Sequence, residues 1–344
     1  MSPQYFSLQA DNTFGLKIQA RQRIIADTPN TILSAWQNSR RRHQPFLLLG
    51  AGSNVLFLND FAGIVVLNRI KGIKINEQDK AWKLHVGAGE NWHMLVEWTL
   101  KKGINGLENL ALIPGMTGSA PVQNIGAYGM EFKDVCEYVD ILNLNTGITQ
   151  RLDREECAFG YRDSIFKYEP YYAIIAVGIN LSKQWQPLLT YGDLARLNPV
   201  TVTAFEVFNT ICYMRKSKLP ETCMTGNVGS FFKNPLVSYE KAEMLKMTYP
   251  GIPSYPQVNG KVKLAAGWLI DQCQLKGLRI GGAEVYQKQA LVLINVGHAT
   301  SQDIIELAKT VRFHVGKKFD VWLEPEVRFI GAHGEYNTPI KAIL

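Results

Sequence analysis

Ile113-Pro114-Gly115-Met116-Thr117-Gly118-Ser119-Ala120-Pro121-Val122-Gln123-Asn124-Ile125-Gly126-Ala127-Tyr128-Gly129 is the stretch on which the reading of this chain turns. It carries neither a helical nor a strand period. Small residues, hydroxyls and side-chain amides crowd it, and glycines recur from Gly103 and Gly106 onward to Gly129. Ordered loops of this length are usually functional. One so rich in backbone donors can wrap a diphosphate and the edge of a flat ring system. A structural loop at a domain interface is the plainer alternative. Upstream, Phe46–Leu49 reads as a short apolar strand running into Gly50-Ala51-Gly52-Ser53-Asn54. Successive amides in a glycine-rich turn form an anion nest, and glycine admits close approach of phosphate. The turn lacks the third glycine and the following acidic residue of a dinucleotide fingerprint.

Strand and helix signals alternate on either side of these segments. Thr28-Pro29 opens a helix, with Pro in its first turn. Ile64–Leu67 is a buried strand, and Trp82, Leu84 and Val86 alternate as a half-buried one. Asn91 caps a helix that Gly103 ends. Strands over Val139–Leu144 and Ile148–Leu152 flank Asn145-Thr146-Gly147 as a hairpin, and Tyr172–Leu181 is another strand. Thr203-Ala204-Phe205-Glu206 is a capping box for a helix ending near Arg215. A domain boundary is expected just after it, around 217–225. Leu264–Gln274 reads as helix and Ala290–Asn295 as a buried strand. Ser301 reads as the cap of an amphipathic helix. Val321–Leu323 and Val327–Ile330 read as closing strands. With elements mixed in both halves, the fold class is α+β.

Composition excludes several alternatives. The 344 residues are 46% hydrophobic and 19% charged, which argues against disorder, collagen and coiled coil and allows about two domains. Lys plus Arg (37) exceeds Asp plus Glu (30), giving a net charge of +7 that attracts acidic partners. The dense basic run Arg40-Arg41-Arg42-His43 sits where a helix C-terminus favours cations. No basic stripe interleaved with aromatics accompanies it, so diphosphate-bearing small molecules suit the charge better than nucleic acid. Cys136, Cys157, Cys212, Cys223 and Cys273 form no C-x-x-C pair, so neither a disulfide framework nor a metal site is expected. The chain shows no basic-then-apolar leader and no long apolar run, so no membrane association and a cytoplasmic location are expected.

Four further strings carry polar chemistry. Phe159-Gly160-Tyr161-Arg162-Asp163-Ser164 offers the planar Arg162 fork that matches a carboxylate, unless it pairs locally with Asp163. Gly226-Asn227-Val228-Gly229-Ser230-Phe231-Phe232-Lys233-Asn234-Pro235 places Ser230 between a glycine and two aromatics. It is not a nucleophile elbow, because Phe232 replaces the second glycine. Glu324-Pro325-Glu326-Val327-Arg328 sets two carboxylates on one side of an extended backbone. Leu189-Thr190-Tyr191-Gly192 puts a tyrosine ahead of glycine on a loop, where it could swing over a ligand or simply pack.

In this order and at these separations the strings resemble the UDP-N-acetylenolpyruvylglucosamine reductases, through nearly the whole chain from Asn12-Thr13-Phe14-Gly15 to Phe329-Ile330-Gly331. The full length and the loop at Tyr191 match the longer architectural type. The resemblance implies a two-lobed FAD-binding domain of the vanillyl-alcohol-oxidase/PCMH type over 14–216, with lobes of about 14–70 and 71–216. It further implies an α+β substrate-binding domain over 217–320 and a segment, 321–344, returning to the active site. By that likeness Gly50, Ala51, Gly52, Ser53, Asn54, Ile113, Pro114, Gly115, Thr117, Gly118, Ser119, Gln123, Asn124, Ile125, Gly126 and Ala127 hold FAD non-covalently, with Ile174 near its ring.

Arg162, Ser230 and Glu326 fall on the family's catalytic residues, with Ser230 the proton donor. Tyr161 and Tyr191 fall on substrate contacts. Lys218, Asn234, Tyr255, Lys263, Lys276 and Gln289 fall on contacts to the diphosphate and uridine. The implied reaction uses NADPH to reduce FAD, and the reduced flavin then reduces the enolpyruvyl group of a UDP-sugar for peptidoglycan synthesis. A small-molecule enzyme acting as a monomer, without metal, is expected. Two competing readings are another flavoenzyme on the same scaffold, which should lack the combined 159–164, 227–235 and 322–328 strings, and a nucleotide- or RNA-binding module, which would be colourless.

Overall fold

The computed structural model of the chain describes residues 5–257 and 260–336, so 337–344 of the expected C-terminal segment lie outside the described residues. The chain divides into two discontinuous compact units. Unit I comprises Arg21–Ala51 and Ala62–Ser217. Unit II comprises the residues up to Ala20, Gly52–Phe61, and those from Lys218 onward.

In unit I, helix α1 (Pro29–Arg41) begins where Thr28 accepts the Thr31 amide at 3.2 Å. Such a cap is worth about 1 kcal/mol. Its buried Ile32 and Ala35 share a core with Ile64, Val66, Leu142, Leu144, Ala173 and Ile175. Phe46–Leu49 pairs in parallel with 64–67, which aims the following glycine turn off the end of a buried ladder. A five-stranded antiparallel sheet runs in the order Thr149–Asp153, Cys136–Asn143, Tyr172–Ser182, Ala81–Gly87, Ile73–Glu77. Helix α2 (Trp92–Lys101), capped by Asn91, and helix α3 (Ala204–Lys218), opened by the Thr203–Glu206 box, bury their apolar rows with that sheet. The α3 helix runs to Lys218 rather than ending near Arg215. No proline or glycine stands between the two positions to stop it.

Unit II holds a four-stranded antiparallel sheet ordered Gly226–Ser230, Val292–Asn295, Ala283–Val285, Arg279–Ile280. A three-stranded sheet joins Leu236–Ser238, Lys261–Leu264 and Ser254–Pro256. Another joins Gly334–Glu335, Arg328–Gly331 and Val55–Phe57. The helices are α4 (Tyr239–Thr248), α5 (Ala266–Gln272) and α6 (Ser301–Phe319), the last burying Ile304, Leu307, Ala308, Val311 and Val315 on one face.

Three expectations change here. The α6 cap is Thr300, whose hydroxyl accepts the Asp303 amide at 3.1 Å, because the acidic residue of the box stands three positions after Thr300 and not after Ser301. Leu264 closes a strand opposite Ser254, so α5 starts only at Ala266 and ends at Gln272. Burial alternates strictly from Val321 to Phe329, yet Val321–Leu323 forms no strand, and the ladder begins only at Arg328.

Candidate functional site

The glycine turn fits a phosphate-bearing cofactor on its own donors. Among the described residues the amides of Gly50, Ala51 and Gly52 donate to no backbone carbonyl. Gly52 is buried with φ +62°, a left-handed geometry that glycine adopts without strain. Partly buried amides in this arrangement are open to an acceptor from solvent or a phosphate group. The turn is held from behind, where Arg69 Nη1 donates to the carbonyls of Gly50 (3.0 Å) and Asn68 (2.9 Å). Asn68 Nδ2 donates to the Ile174 carbonyl at 2.9 Å. Backbone approach across the cradle is close. A Cβ on Gly50 would stand 2.4 Å from Ser119 Oγ, and one on Gly118 would stand 2.5 Å from the Ala88 Cβ. Within unit I, therefore, Gly50, the 116–119 segment and the Ile174 carbonyl lie around one cradle.

Not every residue of the loop has a side chain to spare. Thr117 is fully buried, and its amide and hydroxyl both donate to the Glu90 carbonyl. Asn124, also fully buried, spends its amide on Glu131 (2.8 Å) and the Gly160 carbonyl (3.0 Å), and its Oδ1 on the Lys133 amide (2.9 Å). Ile125 is core. These three can meet a ligand only through backbone. What Asn124 secures is the tight turn that presents Arg162. Gly160 and Asp163 form an antiparallel bridge, Tyr161 and Arg162 stand at its corner, and Arg162 has φ +55°. Arg162 Nη2 donates to the Gly126 carbonyl at 2.9 Å, and the guanidinium lies 5.6 Å from the Tyr161 ring centroid. Asp163 meets Tyr168 instead, accepting its hydroxyl at 3.0 Å, which pushes the Tyr168 pKa up.

The Tyr191 segment is fastened to the long loop. Buried Asn109 donates from Nδ2 to both the Tyr128 and Leu188 carbonyls at 3.0 Å. Buried Glu108 accepts the Trp185 Nε1–H at 2.5 Å and the Gly106 amide at 2.7 Å. Tyr191, 43% exposed, stands edge-on to Tyr128 at 6.1 Å. Behind Tyr128 is Arg215 of α3, which the sequence marks only as lying near a helix end. Burial lowers its pKa, against the opposing effect of a hydrogen bond to Tyr128, and its Nε has no partner among the described residues. Burial raises the Tyr128 pKa in turn. The signal for Arg215 lay in its spacing, four residues after Ile211 on the buried row of the helix.

Unit II brings together Ser230 and Glu326. The strand holding Ser230 pairs with Val292 across a register shift between Asn227 and Ser230, with Gly229 at φ +73°. A bulge of this kind re-aims a side chain. Immediately afterwards the 324–326 segment runs alongside. Lys233 N donates to Glu324 O, and Glu326 N to Phe231 O, each at 2.8 Å, and Phe232 bridges Pro325. Asn54 Nδ2 holds the Glu326 carbonyl at 3.2 Å, and its own carbonyl takes the Arg328 amide at 3.1 Å. Phe231 and Phe232 are fully buried anchors beneath this platform.

Asn234 and Gln289 both meet the start of α5. Asn234 Oδ1 accepts the Ala266 amide at 2.9 Å, and Gln289 Oε1 stands 2.9 Å from where a Gly267 Cβ would be. Tyr255 and Lys263 are direct cross-strand partners. Lys276 pairs with Asp271 at 2.8 Å, and Lys218 is exposed at the end of α3. The basic run ends α1, with Arg42 as its C-cap and Arg40 over Trp36. Among the described residues no cluster of His, Cys, Asp and Glu could hold a metal ion, and no helix is long and apolar enough to cross a membrane.

Comparison with known proteins adds to this geometry. The family model described as "UDP-N-acetylenolpyruvoylglucosamine reductase, C-terminal domain" matches residues 220–330, and one described as "FAD binding domain" matches 20–153. The UDP-N-acetylenolpyruvoylglucosamine reductase of Escherichia coli (strain K12) is 60% identical over 333 residues, covering 96% of this chain and 97% of that protein. The enzyme of the same name from Pectobacterium atrosepticum is 58% identical over 339 residues, 98% of each. Among solved structures, the UDP-N-acetylenolpyruvylglucosamine reductase of Thermus caldophilus matches with a TM-score of 0.66 and 24% identity, covering 95% of this chain and 98% of that one.

Proposed function

The chain belongs to the UDP-N-acetylenolpyruvoylglucosamine reductase family, and from that premise we propose which of its residues do the work. The reaction is the NADPH-dependent, FAD-mediated reduction of the enolpyruvyl group of UDP-N-acetylglucosamine enolpyruvate to UDP-N-acetylmuramate, in peptidoglycan precursor synthesis. Bound FAD supplies the relay of two electrons from NADPH to the enolpyruvyl double bond.

The chain's residues supply position and charge. In this reading the amides of Gly50, Ala51 and Gly52 hold the FAD diphosphate, and the backbone of 113–119 holds the ring system. The absence of His and Cys from 113–129 fits non-covalent attachment. Arg162 steadies the negative charge that gathers on the substrate carboxylate side during reduction, as a preorganised donor does. Ser230 Oγ gives a proton to the carbon beside that carboxylate, on one face only, and the bulge at Gly229 gives the hydroxyl its fixed aim. Glu326 stands with it at the carboxylate. Tyr161, Tyr191, Lys218, Asn234, Tyr255, Lys263, Lys276 and Gln289 receive the UDP-sugar. The division at 216/217, with lobes of about 14–70 and 71–216, and the 321–344 segment returning to the site belong to the same reading. So do a cytoplasmic location, a monomeric state and the lack of a nucleic-acid partner.

The observation that carries the assignment of the site is the pairing of residues 231–233, directly after Ser230, with the 324–326 segment, held by two 2.8 Å bonds. An anaerobic experiment tests it. Protein reduced with NADPH and then mixed with the enolpyruvyl UDP-sugar should reoxidise. Retention of full reoxidation after Ser230→Ala would remove Ser230 from the chemistry.

A further inference from the structure

The first turn of α2 grips the segment leading into the long loop at three points. Trp92 Nε1 donates to the Leu110 carbonyl at 2.9 Å, Trp92 N donates to the Gly115 carbonyl at 3.1 Å, and Leu112 N donates to His93 Nδ1 at 3.1 Å. Leu112 has φ +56°. A branched L residue keeps that geometry only where its surroundings enforce it. A backbone amide can only donate, so Nδ1 must carry a lone pair. The proton of the neutral ring is therefore on Nε2, which stands 3.5 Å from Glu97 Oε1. The ring is stacked on Phe208, with centroids 5.7 Å apart and planes within 9°.

We propose that His93 is a positioning residue for the flavin-binding loop, its neutral Nδ1 fixing the Leu112 amide and thereby the entry to Ile113-Pro114-Gly115. The inference rests on the reading of that loop as an FAD contact. Of the three grips it is the one that a proton can release. Protonated His93 would set an N–H against the Leu112 N–H, and the two would part.

The charged groups that act on the ring are Glu97 on its own helix and Lys216 and Arg215 on α3, and Cys212 of α3 feels the same three charges. From the 108–112 segment the nearest carboxylate, Glu108, is turned to Gly106 and Trp185. Burial lowers the His93 pKa first, Lys216 and Arg215 add to it, and Glu97 opposes. A depressed imidazole keeps its native contact above the ordinary value of about 6.5. The contact is lost as pH falls through the lower folded value.

The test is FAD binding to apoprotein, followed by flavin fluorescence from about pH 8 down to the most acid pH at which the protein stays folded, together with hydrogen exchange at the Leu112 amide. In the wild type FAD should bind about three- to tenfold more weakly at the acid end, the worth of one hydrogen bond. His93→Asn puts a non-titrating Oδ1 near the place of Nδ1, and should bind FAD independently of pH over that range. His93→Phe keeps the ring on Phe208 without an acceptor. It should bind weakly at every pH and exchange the Leu112 amide faster. Wild-type FAD affinity and Leu112 protection in His93→Phe would overturn the proposal, as would the same acid weakening in His93→Asn as in the wild type. If the wild type bound no FAD, the flavin reading would fail, while Leu112 exchange would still decide between His93→Phe and His93→Asn.

Discussion

Asn109→Leu removes two donors and keeps the shape of the side chain. The residue is 2% exposed, and its Nδ2 meets the Tyr128 and Leu188 carbonyls at 3.0 Å each. An apolar replacement leaves both acceptors without their donor. If both stayed dry the penalty would be about 1–3 kcal/mol apiece. Leu188 is only half-buried, so the 185–191 segment can lift and let water in. The cost then falls to two net hydrogen bonds, about 1–3 kcal/mol together. Leu188 is the anchor from which Tyr191, a few residues on, reaches the substrate. Once the anchor is loose, binding must fix the segment as well as the ligand. Affinity for the UDP-sugar should fall at least about fivefold, in line with 1 kcal/mol at the lower bound. Flavin reduction by NADPH should change less. Titration of the flavin spectrum with the UDP-sugar, beside rapid-mixing reduction by NADPH, measures both. Unchanged UDP-sugar affinity, or an equal loss in both half-reactions, would refute the idea that Asn109 joins the two loops.

Three further outcomes are expected. Ser230→Ala should be reduced by NADPH at nearly the normal rate and reoxidised by the UDP-sugar on the order of 10² to 10⁴ times more slowly, with part of the loss recovered in Ser230→Cys; rapid mixing of each half-reaction distinguishes them. Gly118→Val should abolish FAD retention through purification, because even a Cβ would stand 2.5 Å from the Ala88 Cβ; a yellow variant with native spectrum would refute the close approach. Asp303, its pKa lowered chiefly by the Thr300 amide, completes the capping box at the start of α6. Asp303→Ala should cost roughly 1 kcal/mol in urea unfolding near neutral pH. A depressed carboxylate contributes stability above the ordinary aspartate value of about 4. The contribution is lost as pH falls through the lower folded value, so variant and wild type should converge in acid.

Local chemistry made much of this legible in advance. Thr28, Asn91 and Thr203 open helices because one oxygen at a fixed spacing satisfies an amide that would otherwise be bare, and that spacing is written in the chain. The same rule pointed to Thr300 over Ser301, since only Thr300 has Asp303 three places on. Ser301 spends its hydroxyl on the Phe57 carbonyl, a partner no local pattern announces. The alternation over 321–329 was equally visible, but whether an extended segment finds a ladder depends on a neighbour far away in sequence. Among the candidate site residues, glycine-rich segments stand out by composition. Asn109, His93 and Arg215 do not. Each is one polar residue in an apolar surrounding, and its purpose appears only with the carbonyl, amide or hydroxyl it faces.

The parallel pairing of Val55–Phe57 with Arg328–Gly331 also bears on how the polypeptide is made. Val55 and its partner Arg328 are 328 − 55 = 273 residues apart. At ribosomal speeds of 5–20 residues per second, roughly 14 to 55 s separate the emergence of the two strands. Unit I has all its segments by Ser217, whereas Val55, Leu56 and Phe57, all buried in the end, must wait with an unpaired edge. Such an edge invites pairing with other chains. Nascent polypeptides stalled before residue 328 should therefore be the species that ribosome-bound chaperones hold longest and that aggregate first when the chaperones are withdrawn.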